Sequence, residues 1–296
     1  MNLPNIVSAE PFVPHSYQHI LDKKVFPPGA LPEPAYAKML KDYEAMEGLE
    51  VLRIVYLNDG LKITGLAVLP KDWNEGSHPV MLYNRGGSGE YGKLTVLSVL
   101  RSMAPFAKKG MLVFASNYRG NDGGEGHDEF GGDDVGDVLA LLNIAKKHPG
   151  FDGKNSYILG HSRGAMMTMM SLREDPSINA AIALAGVSDV YDWAEASPDM
   201  RNTVFKRFMP KEPEDEAFMR RSAYRWAEDI HVPVLLMHGD ADEVVTANQS
   251  IKLAEALEAA EKKHALHIIK GGNHALYRHW DDVLTRSHNW IEEHRK

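Results

Sequence analysis

Short apolar runs alternate with helix-like segments over most of this 296-residue chain, and this alternation limits the folds that it can adopt. The runs are nearly continuously apolar, which is typical of strands buried on both faces of a sheet. Strands separated by helices pair in parallel through right-handed crossovers. We therefore predict a doubly wound α/β fold with a mostly parallel sheet. Strands are expected at 79–83, 111–115, 156–159, 180–185, 233–237 and 266–269, and helices at 93–109, 134–147, 164–174, 247–261 and 279–294.

Residues 51–296 are predicted to form one domain that follows an N-terminal extension and contains a helical cap. Two β-rich runs flank Asn58-Asp59-Gly60, a turn sequence that predicts an antiparallel hairpin at the start of the sheet. Residues 1–50 are Pro-rich, turn helical around 35–47, and are expected to pack on the core. The aromatic-rich connection at about 187–231 is expected to fold as the cap, because long structureless loops are uncommon.

The composition argues against several kinds of binding partner and cellular environment. With 44% hydrophobic residues the chain can bury a sizeable core, and its net charge of −8 argues against general nucleic-acid binding. The absence of cysteine excludes disulfides and a thiol nucleophile. No secretory pattern and no long apolar stretch is present, so a cytoplasmic protein without membrane contacts is expected. Self-association into a homo-oligomer is left open.

The motif Gly160-His161-Ser162-Arg163-Gly164 lies between a predicted strand and a predicted helix. This context is typical of the nucleophile elbow of α/β hydrolases, in which a tight turn exposes the serine oxygen at the carboxyl end of the sheet. The turn requires small residues two positions before and after the serine, since larger side chains would collide. We therefore predict that Ser162 is a nucleophile.

A serine hydroxyl needs an adjacent base that is held by an acid, and in this fold both follow the serine in the order acid, histidine. The loop after 233–237 contains Asp240, Asp242 and Glu243, of which Asp242 is favoured and Asp240 is expected to shape the turn. The loop after 266–269 contains His274, which is favoured as the base. Its rivals are His267, inside the predicted strand, and His279, on the next helix.

Two groups are expected to stabilise an oxyanion. The first is the backbone N–H of Arg163, directly after the nucleophile. The second should come from the loop Asn84-Arg85-Gly86-Gly87-Ser88-Gly89, either from the Asn84 side chain or from a backbone N–H, because glycines let the backbone approach a substrate. In the same loop, the Arg85 side chain is expected to contact the substrate.

Other patterns have simpler explanations. Residues 87–92 match the G-x-G-x-x-G dinucleotide pattern, but the next predicted strand ends in Ser116-Asn117-Tyr118 without the ribose-binding acid. The acidic residues of 119–134 lack the spacing of a calcium loop. No metal or organic cofactor is therefore expected. The Arg163 side chain is expected to form an ion pair, with a substrate carboxylate as the alternative, and Trp193 and Phe205 are candidates to line the substrate pocket.

Taken together, these motifs resemble the catalytic domain of the prolyl oligopeptidase (S9) family. The resemblance covers most of the chain and implies Ser162, Asp242 and His274 as a catalytic triad. Family members usually carry a β-propeller, which residues 1–50 are too few to form, so the chain resembles a stand-alone catalytic domain. The matching pieces, in family order, are Asn117-Tyr118-Arg119-Gly120, GHSRG, Ala185-Gly186-Val187-Ser188-Asp189, Ser222-Ala223-Tyr224, HGDADEVV and GGNHAL.

The function expected from the sequence is that of a serine hydrolase working through an acyl-enzyme. The main expectation is a carboxylesterase acting on a small-molecule ester. The alternative is a peptidase of the aminopeptidase or acylaminoacyl-peptidase type acting on short peptides. A non-catalytic binding module on a hydrolase scaffold is a third reading, against which the complete Ser, Asp and His set weighs.

Overall fold

A computed structural model describes residues 1, 3–12, 46–74, 76–175, 177–197, 201–209 and 213–296. The described residues contain a sheet of nine strands, which are β1 (Ile6–Pro11), β2 (Leu49–Asn58), β3 (Leu61–Pro70), β4 (His78–Asn84), β5 (Leu112–Ser116), β6 (Phe151–His161), β7 (Ala180–Leu184), β8 (Val234–Gly239) and β9 (His264–Ile269). Their spatial order is β1-β2-β3-β5-β4-β6-β7-β8-β9. Strands β4 to β9 run parallel to one another, which confirms the mostly parallel sheet.

The predicted hairpin is formed by β2 and β3, whose last pair is Asn58 with Leu61. Asp59 and Gly60 form a two-residue turn with φ of 51° and 78°. Positive φ at both positions is the geometry that matches the twist of antiparallel strands, and it explains the Asn-Asp-Gly sequence. The hairpin joins the parallel part of the sheet through antiparallel pairing of β3 with β5.

Helices cover both faces of the sheet, and two buried apolar clusters lie on its two sides. Strands β4, β5 and β7 are buried along their whole length, which explains their continuously apolar sequences. The helices are α1 (the consecutive pieces Val96–Ser98, Val99–Met103 and Ala104–Ala107), α2 (Asp134–Ala145), α3 (Arg163–Glu174), α4 (Val190–Ala196), α5 (the pieces Arg201–Phe205 and Lys206–Phe208), α6 (Glu214–Arg221), α7 (Asn248–Ala259) and α8 (Trp280–Glu293).

The connection between β7 and β8 contains α4, α5 and α6, so its described residues are mainly helical, in the region where the cap is predicted. Phe205 and Phe218 from this connection have ring centroids 4.7 Å apart, and Trp193 stacks on Phe130 of the core at 6.3 Å. The first contact joins two cap helices, and the second attaches the cap to the rest of the domain.

The N-terminal region differs in part from the expectation. Residues 6–11 form β1, which pairs antiparallel with β2 at one end of the described sheet, whereas no strand is predicted there. The helix predicted around 35–47 lies outside the described residues except for its last two positions. Among the described residues, no helix combines the length and apolarity that crossing a membrane requires.

Candidate active site

Ser162 lies between the end of β6 and the start of α3, at the carboxyl edge of the sheet. Its φ of 58° and ψ of −124° fall outside the regions that side-chain-bearing residues usually adopt. Its backbone N–H donates to the Leu184 carbonyl at 2.8 Å, which ties the turn to the neighbouring strand β7. The backbone therefore forms the sharp turn that exposes the serine side chain.

The flanking glycines meet the steric demand of this turn. A Cβ at Gly160 would collide with the carbonyl oxygen of Gly164, and a Cβ at Gly164 would collide with that of Asn84. Side chains at these positions would therefore push apart the strand β6, the helix α3 and the strand β4. This is the physical reason for the G-x-S-x-G spacing.

Three side chains from different loops form one chain of hydrogen bonds. His274 Nε2 lies 2.9 Å from Ser162 Oγ, and His274 Nδ1 lies 2.7 Å from Asp242 Oδ2. The loops after β8 and β9 are joined by a hydrogen bond of 3.0 Å from the Ala241 N–H to the Gly272 carbonyl. Residues separated by 32 and 112 positions from His274 thus meet beyond the ends of β6, β8 and β9, which lie within four neighbouring strands of the sheet.

The partners of the imidazole fix its tautomer. A carboxylate oxygen accepts, so Nδ1 carries the proton and Nε2 presents its lone pair to the Ser162 hydroxyl. Burial alone would raise the pKa of Asp242, but hydrogen bonds from His238, His274 and the Val245 N–H hold the pKa well below its usual range. The acid is therefore ionised at neutral pH.

The structure separates the rival acids and bases. The Asp240 side chain, in an exposed residue, accepts the Gly271 N–H at 2.6 Å, so it shapes the turn between the two loops. Glu243 is exposed, whereas Asp242 is only 6% exposed. Among the histidines, His267 Nδ1 contacts Arg286 Nη1 at 3.1 Å, whereas His274 Nε2 lies 2.9 Å from Ser162 Oγ.

The expected oxyanion donors have different surroundings. Arg163 is the first residue of α3, so its N–H has no partner within the helix and directly follows Ser162. The Asn84 side chain requires a correction: it is fully buried, and its Nδ2 donates to Thr168 Oγ1 at 3.0 Å. In its place the Gly86 backbone lies against the serine, since a Cβ at Gly86 would be 3.2 Å from the Ser162 Cβ.

The Arg85 side chain also requires a correction, because it faces the protein instead of a substrate. It is 1% exposed, and it donates to the carbonyls of Asn117, Gly86, Gly89 and Tyr91 at 2.7–3.2 Å. A guanidinium whose donors are engaged by backbone carbonyls has no remaining donor face for a ligand. Arg85 thus holds the loop 86–92 in shape from beneath.

Trp193 and Phe205, the predicted pocket residues, are packed between the cap and the core. They are 5% and 6% exposed, and their ring centroids lie 5.8 Å apart. Trp193 Nε1 donates to the Val244 carbonyl at 3.3 Å, two residues after Asp242. The cap is therefore hydrogen-bonded to the loop that carries the acid, and a role of these aromatics in lining the pocket remains a prediction.

The side chain of Arg163 forms the ion pair that was expected. Its guanidinium binds Asp128 through two hydrogen bonds of 2.7 and 2.8 Å and also pairs with Asp134. Burial alone would raise the pKa of Asp128, but Arg163 and the backbone N–H groups of Gly89 and Phe130 lower the pKa to about 2.

Three polar residues at this site are missing from the sequence prediction. Asp128 accepts the Gly89 N–H at 2.9 Å, His161 Nε2 donates to the His274 carbonyl at 2.8 Å, and His238 Nε2 donates to Asp242 at 3.1 Å. Burial, reinforced by the neighbouring His274, lowers the pKa of His161 to about 4. Only His238 carries a sequence signal, because it stands four residues before the acid in HGDAD.

The glycine-rich segments have structural explanations. Gly87 and Gly92 have φ of 75° and 81° and touch each other, since a Cβ at Gly87 would be 3.1 Å from the Gly92 Cα. The loop 87–92 is therefore folded on itself. In the segment 119–134, acidic side chains bind protein donors, and within the described ranges no cluster of three or more His, Asp or Glu could hold a metal ion.

Comparison with known proteins adds an independent line of evidence. Residues 98–296 match the model of the prolyl oligopeptidase family. The chain is 33% identical over 212 residues to the uncharacterized peptidase YtmA of Bacillus subtilis, covering 71% of this chain and 80% of YtmA. It is 25% identical to the uncharacterized peptidase YuxL of the same organism, covering 80% of this chain but only 38% of YuxL.

Similarity to a solved structure concerns the fold. The Pyrococcus horikoshii acylaminoacyl peptidase, without a bound ligand, superimposes with a TM-score of 0.72 at 22% identity. The superposition covers 86% of this chain and 43% of that protein. The α/β-hydrolase fold inferred from the elbow and the strand order agrees with this similarity.

Proposed function

This chain belongs to the prolyl oligopeptidase family of serine hydrolases, and on that basis we propose that it is a serine peptidase acting on short or N-terminally blocked peptides. The observation that carries the proposal is the unbroken chain of hydrogen bonds from Ser162 through His274 to Asp242. The comparisons favour the peptidase alternative over the carboxylesterase expected from the sequence, since the similar curated relatives are peptidases.

In the proposed mechanism, Ser162 Oγ attacks the scissile carbonyl while His274 Nε2 takes its proton. Asp242 holds the imidazole and stabilises the charge that it acquires. The tetrahedral oxyanion is bound by the Arg163 N–H and by a backbone N–H of the Gly86–Gly87 turn. His274 then returns the proton to the leaving amine as the scissile C–N bond breaks. A water molecule attacks the acyl-enzyme while His274 takes its proton, and Ser162 receives that proton as its bond to the acyl carbon breaks.

The proposed preference for short substrates is argued from the cap, which lies against two loops of the site. The hydrogen bond from Trp193 to Val244 brings helix α4 against the loop of the acid. Phe208 of α5 approaches the opposite loop, where a Cβ at Gly89 would be 3.6 Å from its ring. Both flanks of the site are thus covered by cap residues, and we propose that this restricts entry to short chains and small acyl groups.

The test compares acyl-aminoacyl p-nitroanilides, aminoacyl p-nitroanilides and p-nitrophenyl esters as substrates of the wild-type protein and of Ser162→Ala. We expect anilide cleavage by the wild type and a loss of turnover on the order of 10⁴ to 10⁶ in the variant, because the nucleophile is removed. Ester cleavage without cleavage of either class of anilide would contradict the peptidase proposal and favour the esterase. Unchanged turnover in Ser162→Ala would remove Ser162 as the nucleophile.

A cytoplasmic location, expected from the sequence, stays a prediction. Cell fractionation of the native host with an antibody against the chain would test it.

A further inference from the structure

Asp242 has a second histidine on the oxygen that binds His274. His238, the penultimate residue of β8, is completely buried, and its Nε2 lies 3.1 Å from Asp242 Oδ2. The same Nε2 lies 2.8 Å from the Val245 carbonyl. Because both neighbours are acceptors, Nε2 must carry a proton and donate it to them.

The remaining polar side-chain atoms of His238 and Asp242 are also hydrogen-bonded. His238 Nδ1 lies 2.7 Å from Ser250 Oγ, which anchors the ring to helix α7. Asp242 Oδ1 accepts the N–H groups of Val244 and Val245, both at 2.9 Å. Among the described residues the carboxylate therefore has four donors, two on each oxygen, and without His238 only His274 of these would hold the oxygen that faces the base.

We propose that His238 is a positioning residue of the triad, which keeps Asp242 Oδ2 aligned with His274 by donating a second hydrogen bond to it. The inference rests on the proposed triad. A buried carboxylate needs donors to stay ionised, and a ring fixed between a strand and a helix supplies one with little freedom of movement. His238 does not touch the substrate, so its effect on catalysis must pass through Asp242.

A double-mutant cycle separates this role from mere packing. The rate of phosphonylation of Ser162 by a fluorophosphonate is measured for wild type, His238→Phe, Asp242→Ala and the double variant. We expect His238→Phe to lower the rate on the order of 10- to 100-fold in the wild-type background, the size of one hydrogen bond to a buried charge. In the Asp242→Ala background, His238→Phe should lower the rate further by less than about threefold, because the carboxylate that His238 positions is gone.

A rescue variant and a control variant complete the test. His238→Gln keeps an N–H donor near the Nε2 position and should restore the rate to within about threefold of wild type. His148→Phe is the matched control, since His148 is likewise buried but its contacts are with Gly150, Trp73 and Phe114. If His238→Phe does not fold, Ser250→Ala takes its place in the cycle, with an expected loss of about two- to tenfold.

Each outcome is decisive. Equal losses in the two backgrounds, or no loss in the wild-type background, would overturn the positioning role. A failure of Asp242→Ala itself to slow phosphonylation would instead refute the triad, so the two failures can be told apart.

Discussion

At the residue scale, the main feature of this molecule is the conformation of Ser162. A side-chain-bearing residue with φ of 58° and ψ of −124° costs about 1–3 kcal/mol, so surrounding contacts must impose it. The N–H of Ser162 is bound by Leu184, and the glycines two positions away let β4, β6 and α3 approach without collision. The backbone of the elbow thus fixes the position of the Ser162 hydroxyl.

Asp128 is the residue that joins the elbow to the loop 86–92. One oxygen accepts from Phe130 N–H and Arg163, and the other from Gly89 N–H, Asn121 and Arg163. Arg163 in turn donates to the Gly87 carbonyl at 3.2 Å. The two backbone segments proposed to bind the oxyanion are therefore connected through one buried carboxylate.

We predict that Asp128→Asn lowers both turnover and stability. The amide offers only one accepting oxygen and no charge, which leaves Arg163 with Asp134 as its carboxylate partner among the described residues. Turnover should fall on the order of 10-fold, since a displaced oxyanion donor costs up to 10²–10³. The free energy of unfolding should fall by about 3–5 kcal/mol, the cost of breaking a buried ion pair by removing one partner.

Steady-state kinetics and urea unfolding measure these two effects. Asp133→Asn is the control, because its carboxylate is 73% exposed and lies 3.7 Å from Arg119. A variant Asp128→Asn with wild-type turnover would show that the loop keeps its shape without this carboxylate.

At the element scale, the sheet brings distant loops together. In the parallel register, Asn84 pairs with Gly160, His161 with Leu184, and Gly239 with Ile269, so successive strands end near the same edge. The loop before α1, the elbow, the acid loop and the base loop all start at this edge. Parallel pairing therefore explains why residues 162, 242 and 274 can meet.

The elements were predictable from the sequence because their signals are local. The continuous apolar runs correspond to β4–β9, and the turn sequence Asn58-Asp59-Gly60 corresponds to the hairpin. Strand β1 gives a weak signal, since it is only six residues long and ends in proline at a sheet edge, where pairing with β2 decides its conformation.

The side-chain roles of Arg85, Asn84 and His238 were less predictable. Arg85 is turned inward by the Asn117 carbonyl, which is 32 residues away, and Asn84 by Thr168, which is 84 residues away. In the sequence, polar side chains beside a glycine-rich loop suggest ligand binding. Only the tertiary structure shows that Arg85 and Asn84 instead donate their hydrogen bonds to a backbone carbonyl and to a buried hydroxyl of the protein. The spacing of His238 and Asp242 was visible, but its meaning depends on the turn after β8.

At the scale of the whole molecule, buried histidines make stability depend on pH. Burial, followed by the charge of His78, lowers the pKa of His148 to about 4, and His161 has a similar value. Between about pH 4 and 6.5 the unfolded chain therefore binds more protons than the folded one, so stability rises with pH in this window. The contribution of these two histidines to stability is fully present above about pH 6.5 and is lost as the pH falls toward 4.

We predict that His148→Asn flattens this dependence. Its amide oxygen can still accept the Gly150 N–H, which His148 Nδ1 accepts at 3.1 Å, but it has no proton to bind. The drop in unfolding free energy from pH 7 to pH 5, measured by urea unfolding, should be smaller than in wild type by about 2 kcal/mol. An identical drop in both proteins would mean that His148 does not contribute.

We propose that His274 activates Ser162, and covalent labelling of the serine measures this activation. The protein is treated with a fluorophosphonate, the modified residue is identified by peptide mass spectrometry, and the labelling rate is compared in wild type and His274→Ala. We predict a single adduct on Ser162 and a rate at least about 10³-fold lower in the variant, because the proton acceptor is gone. An adduct on another residue, or equal rates in the two proteins, would contradict the account.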